Sequence, residues 1–195
     1  MNNPAKLTVI SFVGPSGAGK STALRTLARK YSVLTERYME LNRHNLDNRL
    51  VLSKWAYIQY WFDEVLRARS QATPLLLTDR CPLDTCAYVR DARAALLEVL
   101  TTSMVELGQM EIVVHKVLAT APFEVLQSRI NARLDREQQR RQYNEADVEH
   151  NKRAYDFFAD HVTLWDRVID TSTVNEDALP HLFETIINDL TANSK

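Results

Sequence analysis

Several classes are excluded by what this sequence lacks. It has two cysteines, Cys81 and Cys86, five positions apart. That spacing fits no zinc site and cannot staple a disulfide scaffold. No apolar run approaches the roughly 20 residues of a membrane span. The opening MNNPAKLTV lacks a basic stretch followed by an apolar signal core, so a cytoplasmic location without a membrane partner is expected. Charge of one sign is missing too: 24 Lys and Arg stand against 25 Asp and Glu, a net of −1. Such balance provides no general surface for nucleic acid. The five histidines form no H-E-x-x-H pair and are read as ordinary surface or core residues. No repeat or low-complexity linker interrupts the chain, and its 195 residues predict one domain, 1–195.

Glycine is scarcest of all in relation to its placement. The chain has four, and Gly14, Gly17 and Gly19 fall within six residues of FVGPSGAGKST. Glycine tolerates positive φ and lets backbone approach a ligand closely. Gly14, Gly19, Lys20 and Ser21 satisfy G-x-x-x-x-G-K-[ST], the phosphate-cradling P-loop. Its flanks agree: Leu7–Val13 is a continuous apolar, β-branched run that reads as a buried parallel strand. The helix-forming TALRTLARK follows from Thr22. A strand, a glycine loop and a helix N-terminus direct backbone donors and a positive dipole end at an anion. Gly14, Ser16, Gly17, Ala18, Gly19, Lys20, Ser21 and Thr22 are therefore the candidate residues for a nucleoside triphosphate.

The rest of the chain alternates strand and helix, predicting an α/β fold with a parallel sheet. Strands are expected at Leu7–Val13, Ser32–Thr35, Leu75–Asp79, Glu111–Ala119 and Leu164–Asp170. Helical pattern fills Asp47–Arg69, Leu83–Leu107, a segment opened by Pro122 and running through Arg136, and Glu145–Asp160. A terminal helix should begin near Asn175 or Glu176.

Two further features carry charge chemistry. Asp79 closes the apolar run Leu75–Thr78 and should emerge at the carboxyl edge of the sheet, where ligands bind. A strand-end Asp beside a P-loop suits Mg²⁺ or its waters, shared with Ser21, and Arg80 could donate to a phosphate. Arg129, Arg133, Arg136 and Arg140 step by four, three and four residues, so on a helix they share one face. Only Glu137 is placed to relieve that repulsion. The stripe is read either as a solvated face or as an arginine-bearing lid, about 129–143, that closes over transferring phosphates.

The sequence resembles the thymidylate kinase and deoxynucleoside kinase superfamily in GPSGAGKST, in LTE at Leu34–Glu36, in TDRCPLDTCAY at Thr78–Tyr88 and in RINARLDRE at Arg129–Glu137. The resemblance implies a three-layer P-loop kinase fold, a five-stranded parallel sheet flanked by helices with a lid. It implies a catalytic set of Lys20, Glu36, Asp79, Arg80, Arg133 and Arg136, with ATP as donor, Mg²⁺ held at Ser21 and Asp79, and a nucleoside or nucleotide as acceptor. Glu36 takes the place of the base for a sugar hydroxyl, and Gln59 resembles the glutamine that reads the nucleobase. Glu36, Gln59 and Arg80 thus form the expected acceptor site. The neighbours Trp55, Tyr57, Tyr60, Trp61 and Phe62 serve either as stacking surfaces or as core. A homodimer stays open as an assembly.

The chain departs from the pattern in one place. Thr35-Glu36-Arg37-Tyr38 stands where thymidylate kinases carry Arg-Glu-Pro-Gly, and Arg37–Arg49 matches neither family. A kinase of a non-nucleotide metabolite therefore stays open. So does a binding or coupling ATPase, although Arg80 follows Asp79 where a second acid is common. A guanine-reading GTPase does not fit, because Asn151-Lys152-Arg153-Ala154 lacks the closing Asp.

Overall fold

A computed structural model describes residues 6–192 apart from Arg43, Asn45 and Asn48. Those three belong to the unmatched segment Arg37–Arg49, so that part of it lies outside the described residues.

The chain runs β1 (Leu7–Val13), α1 (Lys20–Leu27), β2 (Ser32–Leu34), α2 (Tyr38–Leu41), α3 (Leu52–Ser70), β3 (Leu75–Asp79), α4 (Thr85–Tyr88), α5 (Arg93–Gln109), β4 (Ile112–Thr120), α6 (Phe123–Arg136), α7 (Val148–Asp160), β5 (Arg167–Asp170) and α8 (Leu179–Ala192). The strands form one parallel sheet in the order β2-β3-β1-β4-β5. The central strand β1 is buried along its whole length, as a continuous apolar run on a two-faced sheet requires. One face carries Ile10 and Phe12 against Leu24 and Leu27 of α1 and Phe183 and Ile187 of α8. The other carries Leu7 and Val9 with Tyr57 and Trp61 of α3, Leu96 and Leu100 of α5, and Phe157 and Phe158 of α7. Helices on both faces make three layers. This is the expected α/β architecture.

Boundaries shift where local chemistry was hidden. The helix expected over Leu83–Leu107 is broken: a 3₁₀ turn at Pro82–Asp84 leads into α4, Val89 is extended, and Ala92 takes φ 56° before α5 starts. The helix expected over Glu145–Asp160 begins at Val148, after Asp147 accepts a hydrogen bond from His150 N at 3.0 Å, an ordinary N-cap. Asn175 caps a 3₁₀ turn before α8 in the same manner, accepting from Ala178 N at 2.9 Å. The last strand starts at Arg167, after a 3₁₀ turn over Val162–Leu164. Pro122 precedes α6, and its carbonyl receives the amides of Val125 and Leu126.

Candidate active site

Strands β1 and β3 pair with Phe12 beside Asp79, so the loop leaving β1 and the acid ending β3 meet at one carboxyl edge. Gly14, Gly17 and Gly19 have φ of 131°, 84° and 83°, values side chains rarely adopt. At Gly14 a β-carbon would lie 2.2 Å from the Ala119 carbonyl. The loop is thereby folded hard against β4, and α1 opens at Lys20 with its positive end toward a cavity of about 780 Å³. Ser16, Gly17, Ala18, Gly19, Lys20, Ser21 and Thr22 line that cavity, together with Glu36, Asp79, Arg80, Arg133 and Arg136.

Ser21 Oγ donates to Asp79 Oδ2 at 2.5 Å. The other oxygen, Oδ1, is buried without a hydrogen-bond partner. Burial, and then Glu36, raise the Asp79 carboxyl above its ordinary value. An orphaned carboxylate oxygen beside a serine hydroxyl is a hard-oxygen set that fits Mg²⁺ or its water shell. No group of three or more His, Cys, Asp or Glu forms another cation site among the described residues.

Lys20 departs from expectation. As the loop lysine it reads as a surface cation, yet it is only 5% exposed. Its Nζ donates to the carbonyls of Gly14 at 2.7 Å and Pro15 at 2.8 Å. Burial pushes its pKa down to about 7. The ammonium is thus held by carbonyls of its own loop.

Arg80 is the hub of the site. It adopts φ 74°, a strained conformation for a non-glycine residue. Its amide donates to Phe12 O at 3.0 Å, and its carbonyl accepts from Thr78 Oγ1 at 2.8 Å. Nε lies 3.0 Å from Glu36 Oε1, while Nη1 donates to Gly14 O at 3.1 Å and Tyr88 Oη at 3.2 Å. Asp84 Oδ2 lies 3.8 Å from the same Nη1.

Asp84 itself was missed from the sequence. It is 1% exposed and accepts from the Gly14 amide through Oδ1 at 3.2 Å. Burial raises its carboxyl to about 6, against the pull of Arg80 and Lys20. Lys54 was missed as well. It is buried on α3, its Nζ 3.1 Å from Tyr38 Oη and 4.2 Å from the centre of that ring. Burial lowers it to about 7. Tyr57, Tyr88, His150 and Asn151 complete this end of the cavity. The signal it leaves in the sequence is a lysine on the apolar face of α3, in line with Tyr57, Ile58 and Trp61.

Gln59 is a correction. It is exposed on α3 and does not line the cavity. Of its aromatic neighbours, Tyr57 and Trp61 are buried, Trp55 is 49% exposed, and only Tyr57 reaches the cavity.

The arginine stripe divides. Arg129 is pinned, donating through Nη2 to Thr171 O at 2.7 Å and through Nη1 to Thr171 Oγ1 at 3.1 Å and Gly17 O at 3.4 Å. Arg133 and Arg136 project from the last turn of α6 into the cavity wall. Helix α6 stops at Arg136, so Arg140 lies beyond it on a 3₁₀ segment, Gln138–Tyr143. The charges have more relief than the spacing suggests. Glu145 receives Arg133 Nη2 at 2.6 Å and Arg140 Nη1 at 3.2 Å, and Arg140 also pairs with Glu137.

Residues 9–162 match the family described as AAA domain. No curated protein matches the chain. Among solved structures, deoxyadenosine kinase from M. mycoides with products dCMP and a flexible dCDP bound has a TM-score of 0.59 at 16% identity, covering 94% of this chain and 100% of that chain. The same protein with bound dATP gives 0.60 at 16% identity, covering 93% and 100%. With bound dCTP it gives 0.51 at 17% identity, covering 94% and 100%. At these identities the likeness is one of fold.

Proposed function

Because the chain belongs to the AAA-domain family of P-loop proteins, we propose that it is an ATP-dependent phosphotransferase whose acceptor is a nucleoside or nucleoside monophosphate. One observation carries this reading. The cavity of about 780 Å³ extends from the phosphate loop past Arg80 to Lys54, Tyr57 and Tyr88. A coupling ATPase has no need of that second compartment, whereas a kinase must hold an acceptor in line with the terminal phosphate. The shared fold with deoxyadenosine kinase supports the same choice. We take residues 1–195 as one catalytic domain, with the segment around 129–143 as its lid.

The residues divide the work by position. The amides of Gly17, Gly19 and Lys20 surround the phosphates at the start of α1. Lys20 leaves the Gly14 and Pro15 carbonyls for a phosphate oxygen. Ser21 and Asp79 would hold Mg²⁺, which would supply positive charge to offset that of the phosphates. Arg80, kept in place by Glu36, Tyr88 and the Gly14 carbonyl, points a fixed cation at the transferring group. Arg133 and Arg136 add charge from the lid side and exclude water. Glu36 accepts the proton if the acceptor atom is a hydroxyl. With a phosphate acceptor it only orients Arg80.

The acceptor end favours a polar or anionic contact at Lys54 over glutamine readout of a base, since Gln59 faces away. That observation also keeps a phosphorylatable non-nucleotide metabolite as the second reading. The test is phosphoryl transfer from labelled ATP and Mg²⁺ to nucleosides, nucleoside monophosphates and sugars. Acceptor-dependent transfer at rates well above hydrolysis is expected. A slow ATPase indifferent to every acceptor would overturn the proposal.

A further inference from the structure

Behind the acceptor end lies a smaller cleft of about 180 Å³, lined by Arg49, Arg90, Arg93, Arg153, Tyr88 and His150 with the backbone around Ala87 and Val89. Four arginines from three parts of the chain line it. Arg90 comes from the bend between α4 and α5 and Arg93 from the first position of α5, Arg153 from α7, and Arg49 from the segment before α3. The Arg90 amide donates to Arg49 O at 3.0 Å, which fixes the two segments side by side. Arg93 is held by its Nη2 on Val89 O at 3.3 Å and by its guanidinium 5.4 Å from the Phe157 ring centre. Its Nε is buried without a hydrogen-bond partner.

The charge balance is lopsided. Asp47 takes up Arg49, Nη2 to Oδ2 at 2.6 Å. Asp147 faces the same region but is engaged by the His150 amide. Arg90, Arg93 and Arg153 have no ion-pair partner among the described residues. Burial lowers His150, so its ring adds a neutral polar group rather than charge. Four arginines against two acids, Asp47 and Asp147, leave an excess of like charge that an anion would relieve. Guanidinium forks match tetrahedral and planar oxyanions two bonds at a time. The cleft is too small for a nucleic-acid backbone to track, and the net charge of −1 offers no surrounding basic surface.

We propose that this arginine cleft is a second oxyanion site that takes a phosphate group, separate from the P-loop. Tyr88 and His150 line both cavities, and Tyr88 accepts from Arg80, so the two sites share a wall. The phosphate belongs to one of two sources: a phosphate carried by the acceptor in the larger cavity, or a free phosphate compound acting from the side.

The experiment compares wild type with the double variant Arg90→Gln/Arg153→Gln, two exposed side chains that hold no element together. Inorganic phosphate is titrated calorimetrically into each protein, first free and then saturated with a non-hydrolysable ATP analogue and Mg²⁺ to occupy the P-loop. Wild type should bind phosphate in both conditions. The double variant should bind it about tenfold or more weakly in the second, the worth of one charge-assisted contact. Its unfolding temperature and analogue affinity should be unchanged. Equal phosphate affinity in the two proteins, or no phosphate binding once the P-loop is filled, overturns the site. Failure of the analogue to bind counts against the kinase reading alone, because the free proteins still report the arginine cleft. In the transfer assay, phosphate that competes with the acceptor identifies the acceptor's own phosphate as occupant. Inhibition or activation without competition identifies a free phosphate compound, and either outcome supports the site.

Discussion

Arg80 and Glu36 form an ion pair inside the cavity, Nε to Oε1 at 3.0 Å, with the arginine side chain 11% exposed and the glutamate 32%. The pair links β3 to the turn after β2, and it couples the group that would stabilise phosphoryl charge to the group that would remove a proton. Replacing Glu36 therefore risks disturbing Arg80 as well. Glutamine keeps an acceptor oxygen for Arg80 and removes only the basicity. With a hydroxyl acceptor, Glu36→Gln should lower kcat by about 10²–10⁴-fold, the usual contribution of a positioned base. With a phosphate acceptor the loss should be much smaller. A large loss together with monophosphate specificity would assign Glu36 to positioning rather than proton transfer.

Lys20→Ala should abolish transfer and leave the fold standing. The buried ammonium makes two short bonds to loop carbonyls, but its depressed pKa shows that holding charge there is costly. Loss of the bonds and relief of the burial offset each other, so stability should change by about 1 kcal/mol or less. Turnover and thermal unfolding of the same preparation check this. Near-normal turnover would remove the P-loop from the mechanism.

The parts that could be read from sequence are those fixed by neighbours along the chain. The β1 run, the positive-φ glycines and the lysine that follows are consecutive, and their geometry is dictated locally. Asp79 was legible because a strand's last residue reports its own position. Asp84 was not: its partner, the Gly14 amide, lies 70 residues away. Lys54, Tyr38 and Tyr88 meet only once α3 packs on the sheet. Glu145 relieves Arg133 and Arg140 across a turn that helical periodicity cannot describe. The break between α4 and α5 involves Val89 and Ala92, which carry no turn signature, so tertiary packing overrides propensity there. Gln59 was expected from the resemblance to nucleoside kinases, and the turn of α3 leaves it exposed outside the cavity.

Gly14→Ala tests the loop without reference to catalysis. The new methyl would meet the Ala119 carbonyl at 2.2 Å on a backbone at φ 131°. Strain at one such position costs about 1–3 kcal/mol, and the clash with backbone adds to it. Chemical denaturation should show a loss of about 2 kcal/mol or more. An unchanged midpoint would mean that β1 and β4 separate more easily than their register implies.

Lys54 gives a pH dependence with a definite sign. Its folded pKa, about 7, lies below the ordinary 10.5. Between those values the unfolded chain binds more protons, so the stability contributed at this position grows as pH rises from about 7 toward 10.5. Lys54→Met removes the titrating group and keeps the volume. Wild type should therefore gain stability relative to Lys54→Met across that window, and the difference should be flat below it. Parallel curves at all pH values would show that the Lys54 charge is solvated.

The lid prediction concerns Glu145. In the free protein this carboxylate holds Arg133 at 2.6 Å and Arg140 at 3.2 Å, so the arginines that would meet the phosphates are already occupied. Bound phosphates must compete with one carboxylate that binds two guanidinium groups. The segment has little else to anchor it: α6 ends at Arg136, and DREQQRRQ contains no apolar residue. Low apolar content predicts low local stability. Glu145→Gln should weaken both ion pairs and raise amide exchange over residues 137–145 in the free protein. Binding of a nucleotide analogue should restore protection there more than in α7. Arg133→Ala should lower turnover by about 10²-fold or more, as loss of one transition-state charge contact does, with a small effect on unfolding. Slow exchange that neither Glu145→Gln nor nucleotide alters, together with normal turnover of Arg133→Ala, would make the arginine stripe a static wall and assign the exclusion of water to other residues.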